Sequence, residues 1–292
     1  MMQFQKILLI EAVKKNIDLN NNLNWKHELL EKAPPVLWFG DTRTNLPKII
    51  TIGANPSREE FLNHHKKNAQ KMINNREQKL LQYLKKPRFR TLSQTESLFD
   101  ILINVNLQEE IIESYNSYFS NNPYINWFGK PNGFKLEAFL NGLNASYYPD
   151  KIQYGFNAIH IDLFPFPTIS DYKEISGLAE KDLFNNEWSQ NFLRNLMTTF
   201  IPSPKLIVVF GKTNFIKLKK LFPDSISTQK GRTHYHQNAK GEQISCTYWI
   251  GTFDSYKLVG LSVNLGNPRN FTTKDLNNLG THILKEFNYL IE

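Results

Sequence analysis

Three polar side chains stand at or near the points where apolar segments of the chain end. The residues are Asn55, Asp162 and Asn264, and the segments that lead into them are 49–53, 156–161 and 258–263. Amide and carboxylate groups hydrogen-bond polar ligands, and a carboxylate in such apolar surroundings is costly to bury unless donors face it. These residue types in this position point to a site for a polar ligand.

The apolar segments indicate the elements that hold these side chains. Four short apolar runs alternate with segments of helical periodicity. This predicts an α/β fold, a three-layer α/β/α sandwich with a central, mostly parallel, four-stranded sheet. The runs are 49–52, 156–167, the first part of 204–215, and 258–263. Ligands of open α/β sheets bind at the carboxyl ends of the strands, so the three polar residues are expected at one common edge.

Each polar residue also has a purely structural interpretation. The segment GANPS (53–57) is compatible with an ordinary strand-to-helix turn in which Ser57 is the N-cap. Asp162 is compatible with a helix cap or an arginine partner. His160 lies two residues earlier, on the same face of the strand, and is interpreted as a structural histidine.

The net charge of +8 is concentrated in one segment. Residues 62–90 hold nine basic residues and one acidic residue, a difference equal to the whole net charge. The pattern over 58–86 predicts a helix, which Pro87 ends. A basic stripe beside a site is typical of polyphosphate recognition, and a solvated basic helix without a ligand is the alternative.

The length and composition of the chain exclude several classes of protein. The chain has 292 residues, enough for one large domain with an insertion, and no apolar run long enough to cross a bilayer. Its single cysteine, Cys246, excludes an internal disulfide, and the N-terminus lacks the features of a leader peptide. We expect a cytoplasmic protein with no membrane association, no metal or other cofactor and no obligatory protein partner.

Three additions are predicted within a single α/β domain over 1–292. They are an N-terminal helical extension (1–45, with helices at 4–16 and 25–33), a basic helical insert (62–117) and a β-hairpin (227–250). The loop 121–134 carries Tyr124 and Trp127 among prolines and glycines. These rings either cap the core or form a stacking platform for a flat ligand.

Four stretches, taken in order, resemble motifs of the uracil-DNA glycosylase superfamily in its divergent bacterial branch. They are GANPS (53–57), NPYINWF (122–128) followed by LEAFLNGL, HIDLFPF (160–166) and SVNLGNPRN (262–270). The resemblance covers the chain from about residue 46 to about residue 280. It implies a glycosylase-like fold and a DNA N-glycosylase, which flips a nucleotide out of the stack and hydrolyses the bond between base and sugar.

The resemblance also implies roles for individual residues. Asn55 positions the hydrolytic water, and Asn264 hydrogen-bonds the departing base at the place where active members have a histidine. The residues implied to bind the base are Asp162, Tyr124, Trp127 and Phe61. The expected DNA-binding residues are Lys66, Lys67, Lys71, Arg76, Lys85, Lys86, Arg88 and Arg90 for phosphates, with Asn267, Pro268 and Arg269 entering the minor groove.

The carboxylate of Asp162 limits which bases the expected site can bind. Uracil presents O4 as an acceptor and N3–H as a donor, whereas an ionised aspartate only accepts. Cytosine presents an amino group, to which a carboxylate is suited. The hypothesis is a cytosine-type base, including ones modified at C5, and by extension a defence role against phage DNA. The alternatives are uracil removal in base-excision repair, an inactive DNA-binding protein on the same fold, and a hydrolase of small nucleotides or nucleosides.

Overall fold

Apolar runs form the middle of an eight-stranded sheet. The computed structural model describes residues 2–25, 27–63, 81–151, 153–184, 187–237, 241, 243–266 and 270–288. The strands are β1 (Lys48–Gly53), β2 (Ala145–Ser146), β3 (Phe156–Asp162), β4 (Pro204–Val209), β5 (Ile226–Thr228), β6 (Arg232–Gln237), β7 (Gln243–Phe253) and β8 (Tyr256–Leu261). Their order is β2-β3-β1-β4-β8-β7-β5, and β6 pairs with β7.

The fold is α/β with a mostly parallel central sheet, but the prediction of four strands is wrong. The apolar runs became β1, β3, β4 and β8, with β4 parallel to both β1 and β8. Short β2 lies parallel to β3, and β7 runs antiparallel to β8, β5 and β6. β7 alternates between buried and less buried residues, the pattern of a strand with one covered face. Continuous apolar runs therefore identify only the strands that are buried on both faces.

Helices flank these strands in the chain. The described α-helices are α1 (Met2–Asn21), α2 (Leu98–Ile103), α3 (Val105–Asn116), α4 (Tyr118–Asn121), α5 (Ile125–Phe128), α6 (Leu136–Gly142), α7 (Tyr172–Ala179), α8 (Glu187–Thr198), α9 (Lys212–Leu221) and α10 (Thr273–Asn288). A 3-10 turn covers Arg58–Glu60, and a π-helical turn covers Glu180–Phe184. Within the described ranges, none of the helices has the length and apolar character needed to cross a membrane.

The chain forms two compact units. The first consists of Met1–Asp41, Ala54–Asn122 and Ile161–Thr199, and it has a core of interlocking aromatic rings. The second consists of Thr42–Gly53, Pro123–His160 and Phe200–Glu292, and it contains the sheet apart from the last two residues of β3.

Two predicted helices are wrong in the described residues. The helix expected at 25–33 is instead a pair of turns on either side of Leu29, which forms a β-bridge with Thr168, and the amide of Leu30 donates to the carbonyl of Pro167. The helix expected over 58–86 begins with the single 3-10 turn, after which Leu62 bridges to Tyr83. In both places hydrogen bonds to a distant part of the chain replace the local bonds of a helix. Residues 64–80 lie outside the described part.

A close approach of two helix backbones holds the second unit together. A Cβ on Gly142 of α6 would lie 2.1 Å from the carbonyl oxygen of Asn277 in α10. A Cβ on Gly280 of α10 would lie 2.1 Å from the carbonyl oxygen of Phe139. Only glycine fits at either position, because any side chain would overlap the backbone of the facing helix.

The second unit also contains a buried carboxyl group, that of Glu137 in α6. Its oxygens accept hydrogen bonds from Ser146 Oγ, from Asn141 Nδ2 at 2.9 Å and from the amide of Tyr147 at 3.1 Å. Burial raises the pKa of Glu137 to about 7, although these three donors act to lower it. The group joins α6 to the segment that begins with β2.

This pKa predicts a pH-dependent stability. A carboxyl whose pKa is higher in the folded state favours folding most below its unfolded pKa, and that contribution is lost as the pH rises toward 7. The free energy of unfolding should therefore fall with pH between about 5 and 7, by up to about 1.4 kcal/mol per pH unit for this group. Glu137→Gln removes this part of the dependence, which denaturant titrations at several pH values measure.

The matched control is Glu187→Gln, at an exposed position of α8. It should leave the pH dependence as it is in the unmodified protein. An equal slope for Glu137→Gln and the unmodified protein would contradict the assignment to Glu137.

Candidate functional site

The side-chain amide of Asn55 is held in one orientation, just after β1. Its Nδ2 lies 3.0 Å from Thr168 Oγ1, and the Thr168 hydroxyl donates to the carbonyl oxygen of Ser170 at 2.8 Å. A hydroxyl has a single proton, so Thr168 Oγ1 must accept from Asn55. The nitrogen of the amide therefore faces Thr168. Within the described residues no donor is bonded to Asn55 Oδ1, which remains an acceptor.

The segments that follow β1 and β3 lie side by side in the first unit. The amide of Phe164 donates to the carbonyl oxygen of Ala54 at 2.9 Å, two residues after Asp162 and one before Asn55. Asp162 is the last residue of β3 and is 5% exposed. The structure thus brings together the chain segments that carry these two predicted site residues.

Glu60 is a buried acid in the 3-10 turn that follows GANPS. The Tyr118 hydroxyl donates to Glu60 Oε2 at 2.7 Å, and Arg88 Nε lies 3.8 Å from the same oxygen. Burial raises the pKa of Glu60 to about 8; the charges of Asp162 and Glu59 add to this, while Tyr118 and Arg88 oppose it.

Phe61, implied to bind the base, lies in the aromatic core of the first unit. It is 1% exposed, and its ring stacks on Phe89 with the centroids 5.7 Å apart. Phe89 in turn stacks on Tyr118 at 4.8 Å, the residue that donates to Glu60. Phe61 is therefore connected through Phe89 to Tyr118, whose hydroxyl donates to the Glu60 carboxyl.

His160 is buried in the second unit, as the structural interpretation predicts. Its Nδ1 lies 2.9 Å from Thr51 Oγ1, which also lies 2.7 Å from the Tyr147 hydroxyl. The His160 ring meets that of Phe128 edge to face at 5.1 Å. These contacts fix β3 to β1 through side chains.

The aromatic loop belongs to the second unit, with Tyr124 and Trp127 both half-buried. Trp127 packs on the backbone of Gly266, where a Cβ would lie 2.4 Å from the ring atom Cδ2. One face of the Trp127 ring is thus covered by the turn that follows β8. Tyr124 precedes α5 and accepts the amide hydrogen bond of Trp127 through its carbonyl oxygen.

Asn264 is exposed and is part of the same turn. Its Oδ1 accepts a hydrogen bond from the amide of Gly266 at 3.2 Å. Asn264 belongs to the second unit, whereas Asn55 and Asp162 belong to the first. The structure gives Asn264 a local role in shaping the turn.

The basic residues divide into exposed and paired groups. Lys85 and Lys86 are exposed, whereas Arg88 donates to the carbonyl oxygen of Glu59 at 2.5 Å and faces Glu60. Arg90 pairs with Glu96 at 2.6 Å and with Glu110 at 2.7 Å, and its guanidinium lowers the pKa of Glu96 to about 2. The prediction that Arg88 and Arg90 face DNA phosphates conflicts with these internal pairs.

The other predicted DNA-binding residues lie outside the described part of the chain. They are Lys66, Lys67, Lys71 and Arg76 in the basic segment, with Asn267, Pro268 and Arg269 further along the sequence.

An open groove of about 650 Å³ runs beside the arginine pairs of the first unit. Its lining includes Arg88, Arg90, Glu109, Glu110 and Glu113. The groove carries both signs of charge, and Asn55 and Asp162 are not among its lining residues.

Comparisons with known proteins add no relative to this picture. No protein-family model, no curated protein and no solved structure matches the chain.

The contact between Trp127 and Gly266 is testable by substitution. Gly266→Ala should displace the indole ring and lower the free energy of unfolding by about 1–3 kcal/mol, because a methyl group would overlap it. Chemical denaturation followed by tryptophan fluorescence measures this change. Gly177→Ala in α7 is the control, since a Cβ there meets nothing within 4 Å. A Gly266→Ala protein as stable as the control would show that the ring does not lie against this backbone.

Proposed function

We propose that this protein is a DNA N-glycosylase that flips out a base and hydrolyses its N-glycosidic bond, with a preference for a cytosine-type base. The observation that supports this most directly is the orientation of Asn55. Its nitrogen is engaged by Thr168, so its oxygen is an acceptor at the end of β1, beside the segment that carries the buried Asp162. An acceptor held rigidly in this way is suited to orienting a water molecule.

Each of the proposed catalytic groups has a defined role in the reaction. A water that donates to Asn55 Oδ1 attacks C1′ of the flipped nucleotide, and the base departs with the bonding electron pair. The water oxygen remains on C1′, and one of its protons ends on the base nitrogen. The transition state has oxocarbenium character, which the phosphates of the DNA help to stabilise. Asn264 is proposed to hydrogen-bond the departing base from the turn after β8.

Base selection is assigned to Asp162. A carboxylate accepts hydrogen bonds and so favours a base that presents an amino group over the O4 of uracil. The proposal includes cytosines modified at C5 and, by extension, a role in defence against phage DNA that carries them. Tyr124 or Trp127 is the proposed stacking partner of the base.

DNA contact is assigned to the exposed lysines. Phosphate contacts offset the few kcal/mol needed to extract a nucleotide from the stack. Lys85 and Lys86 are exposed and therefore accessible for this role. Lys66, Lys67, Lys71 and Arg76, with the minor-groove residues Asn267, Pro268 and Arg269, remain predictions. The proposal also retains the three-layer α/β/α arrangement, the single-domain organisation and the cytoplasmic location expected from the sequence.

A second candidate is a DNA-binding protein on the same fold that does not cleave. It is favoured by the contact of Asn264, whose amide oxygen is occupied by the amide of Gly266 within its own turn. This contact uses only the oxygen of the amide, so the second candidate requires that the turn keeps Asn264 Nδ2 away from the departing base.

The experiment that separates the two candidates is base release by Asn55→Ala. The substrates are duplexes containing uracil, hypoxanthine, cytosine or C5-modified cytosines, with single-turnover rates and DNA affinity measured in parallel. The substitution should lower release by at least about 100-fold, because the water loses its acceptor, and leave DNA affinity nearly unchanged.

The matched control is Asn195→Ala, at an exposed position of α8. It should release base at the rate of the unmodified protein. Release of uracil alone would refute the cytosine preference. DNA binding without release from any duplex would favour the second candidate.

Substitution of the exposed basic residues and substitution of the paired ones should have different effects, the first on DNA binding and the second on stability. A Lys85→Ala/Lys86→Ala protein should bind DNA more weakly, and the slope of log affinity against log salt should fall by about 0.9 for each phosphate that the protein no longer neutralises. Arg90→Ala should leave that slope unchanged but lower stability, because it removes the partner of Glu96 and Glu110. Fluorescence anisotropy over a range of salt concentrations measures the first effect, and denaturation the second. Equal salt slopes for the double variant and the unmodified protein would exclude these lysines from the interface.

A further inference from the structure

Arg58 is the basic residue closest to Asn55 in the sequence, and both side chains bond to the same segment of the chain. Asn55 Nδ2 lies 3.0 Å from Thr168 Oγ1, and Arg58 Nη1 donates to the carbonyl oxygen of Ile169 at 2.9 Å. Thr168 and Ile169 are consecutive, so the two side chains are anchored next to each other. All four residues belong to the first unit. The Arg58 guanidinium is thus held beside the amide that is proposed to orient the water.

The protein engages only one nitrogen of the Arg58 guanidinium. Besides its bond to Ile169, Nη1 lies 3.5 Å from Asp171 Oδ1. That distance exceeds the roughly 2.7–2.9 Å of a charge-assisted hydrogen bond. Among the described residues none accepts a hydrogen bond from Nε or Nη2. The N–H of Nε and one N–H of Nη2 point the same way, so they form a fork of two parallel donors.

Burial makes this fork informative. The Arg58 side chain is only 14% exposed, and charged N–H groups withdrawn from water are costly unless an acceptor faces them. Arg90 meets this requirement within the protein, because its Nη2 pairs with Glu96 and its Nε with Glu110. Arg58 uses neither of the corresponding nitrogens in this way. Two parallel N–H donors on a fixed guanidinium match two oxygens of a phosphate.

We propose that the Nε and Nη2 donors of Arg58 bind a phosphate of the DNA, in the linkage beside the flipped nucleotide. This inference rests on the proposed glycosylase function and adds a binding residue to it. The linkage is assigned by proximity. The sugar attacked at C1′ carries a phosphate on each side, and Arg58 is anchored next to Asn55, which orients the water. Arg58 precedes the basic segment 62–90, so the count of charge along that segment omits it.

Asp171 opposes this contact. Its carboxylate is the negative charge closest to Arg58 Nη1 and would repel a phosphate bound to the same guanidinium. Asp171 is also the N-cap of α7, and asparagine is an equally good N-cap residue. Asp171→Asn therefore removes the charge without removing the cap. It should strengthen DNA binding, which is the opposite of the effect expected for substitution of Arg58.

The test is a double-mutant cycle between Arg58 and single phosphates. The duplexes carry a C5-modified cytosine whose sugar has fluorine at C2′, which slows cleavage by destabilising the oxocarbenium ion. The linkages on its two sides are replaced in turn by an uncharged methylphosphonate. At the contacted linkage, this replacement and Arg58→Gln should each weaken binding about tenfold, and together no more than either alone. Arg58→Gln should also lower the slope of log affinity against log salt by about 0.9.

Two further variants complete the measurement. Lys14→Gln, at an exposed position of α1, removes the same charge and should leave the affinity and the salt slope as in the unmodified protein. Asp171→Asn should tighten binding about two- to fivefold. That gain should disappear when Arg58→Gln is also present. The gain is read in a protein that retains Arg58, so it does not depend on how well Arg58→Gln folds.

The outcomes separate the inference from the function. Losses that add at both linkages would overturn the inference. So would an Arg58→Gln protein that is less stable but binds DNA as the unmodified protein does, because that arginine would serve only to hold the segment after Thr168. Base release without any coupling to Arg58 would refute the contact and leave the proposed function intact. Coupling without base release from any cleavable duplex would retain the phosphate contact and refute the glycosylase function.

Discussion

The hydrogen bond between Asn55 and Thr168 is the interaction on which the candidate site depends. An asparagine amide presents either its oxygen or its nitrogen to a ligand, and the two ends have opposite chemistry. Here Thr168 has already given its proton to Ser170, so it can only accept, and the amide has one permitted orientation. The site at the end of β1 is consequently an acceptor, and this polarity comes from a residue more than one hundred positions away in the chain.

The central fold was predictable because burial on both faces leaves a continuous apolar signature. β1, β3, β4 and β8 were found in this way. β5, β6 and β7 were not counted in the sheet, because an edge strand with one exposed face resembles an isolated hairpin until its partner is known. The segment 25–33 shows the opposite error. Its apolar spacing suits a helix, but hydrogen bonds to residues 167–169 interrupt it at Leu29 and leave only turns on either side. The pattern of neighbouring residues in the sequence gives no information about such distant hydrogen-bond partners.

The site was predictable only in part, for the same physical reason. The positions of Asn55 just after β1 and of Asp162 at the end of β3 follow from sequence, since topology places strand ends together. The pairing of Arg88 and Arg90 with glutamates does not follow, because charge counted along a segment omits acids that approach from elsewhere. Glu60 was overlooked because nothing beside it in the sequence distinguishes it from an ordinary exposed acid. Its Tyr118 partner lies 58 residues away.

The contact between α6 and α10 limits how this chain can change. At both Gly142 and Gly280, an added Cβ would overlap a backbone carbonyl oxygen of the facing helix. No side-chain substitution in that helix can remove a backbone oxygen. A methyl group at either position must separate the two helices, and once they are separated the second methyl group meets less resistance. The two substitutions are therefore coupled, with a combined penalty smaller than the sum of the separate ones. The first substitution at either glycine therefore lowers the stability of the protein. This cost retains both glycines whether or not the two helices have a role in catalysis.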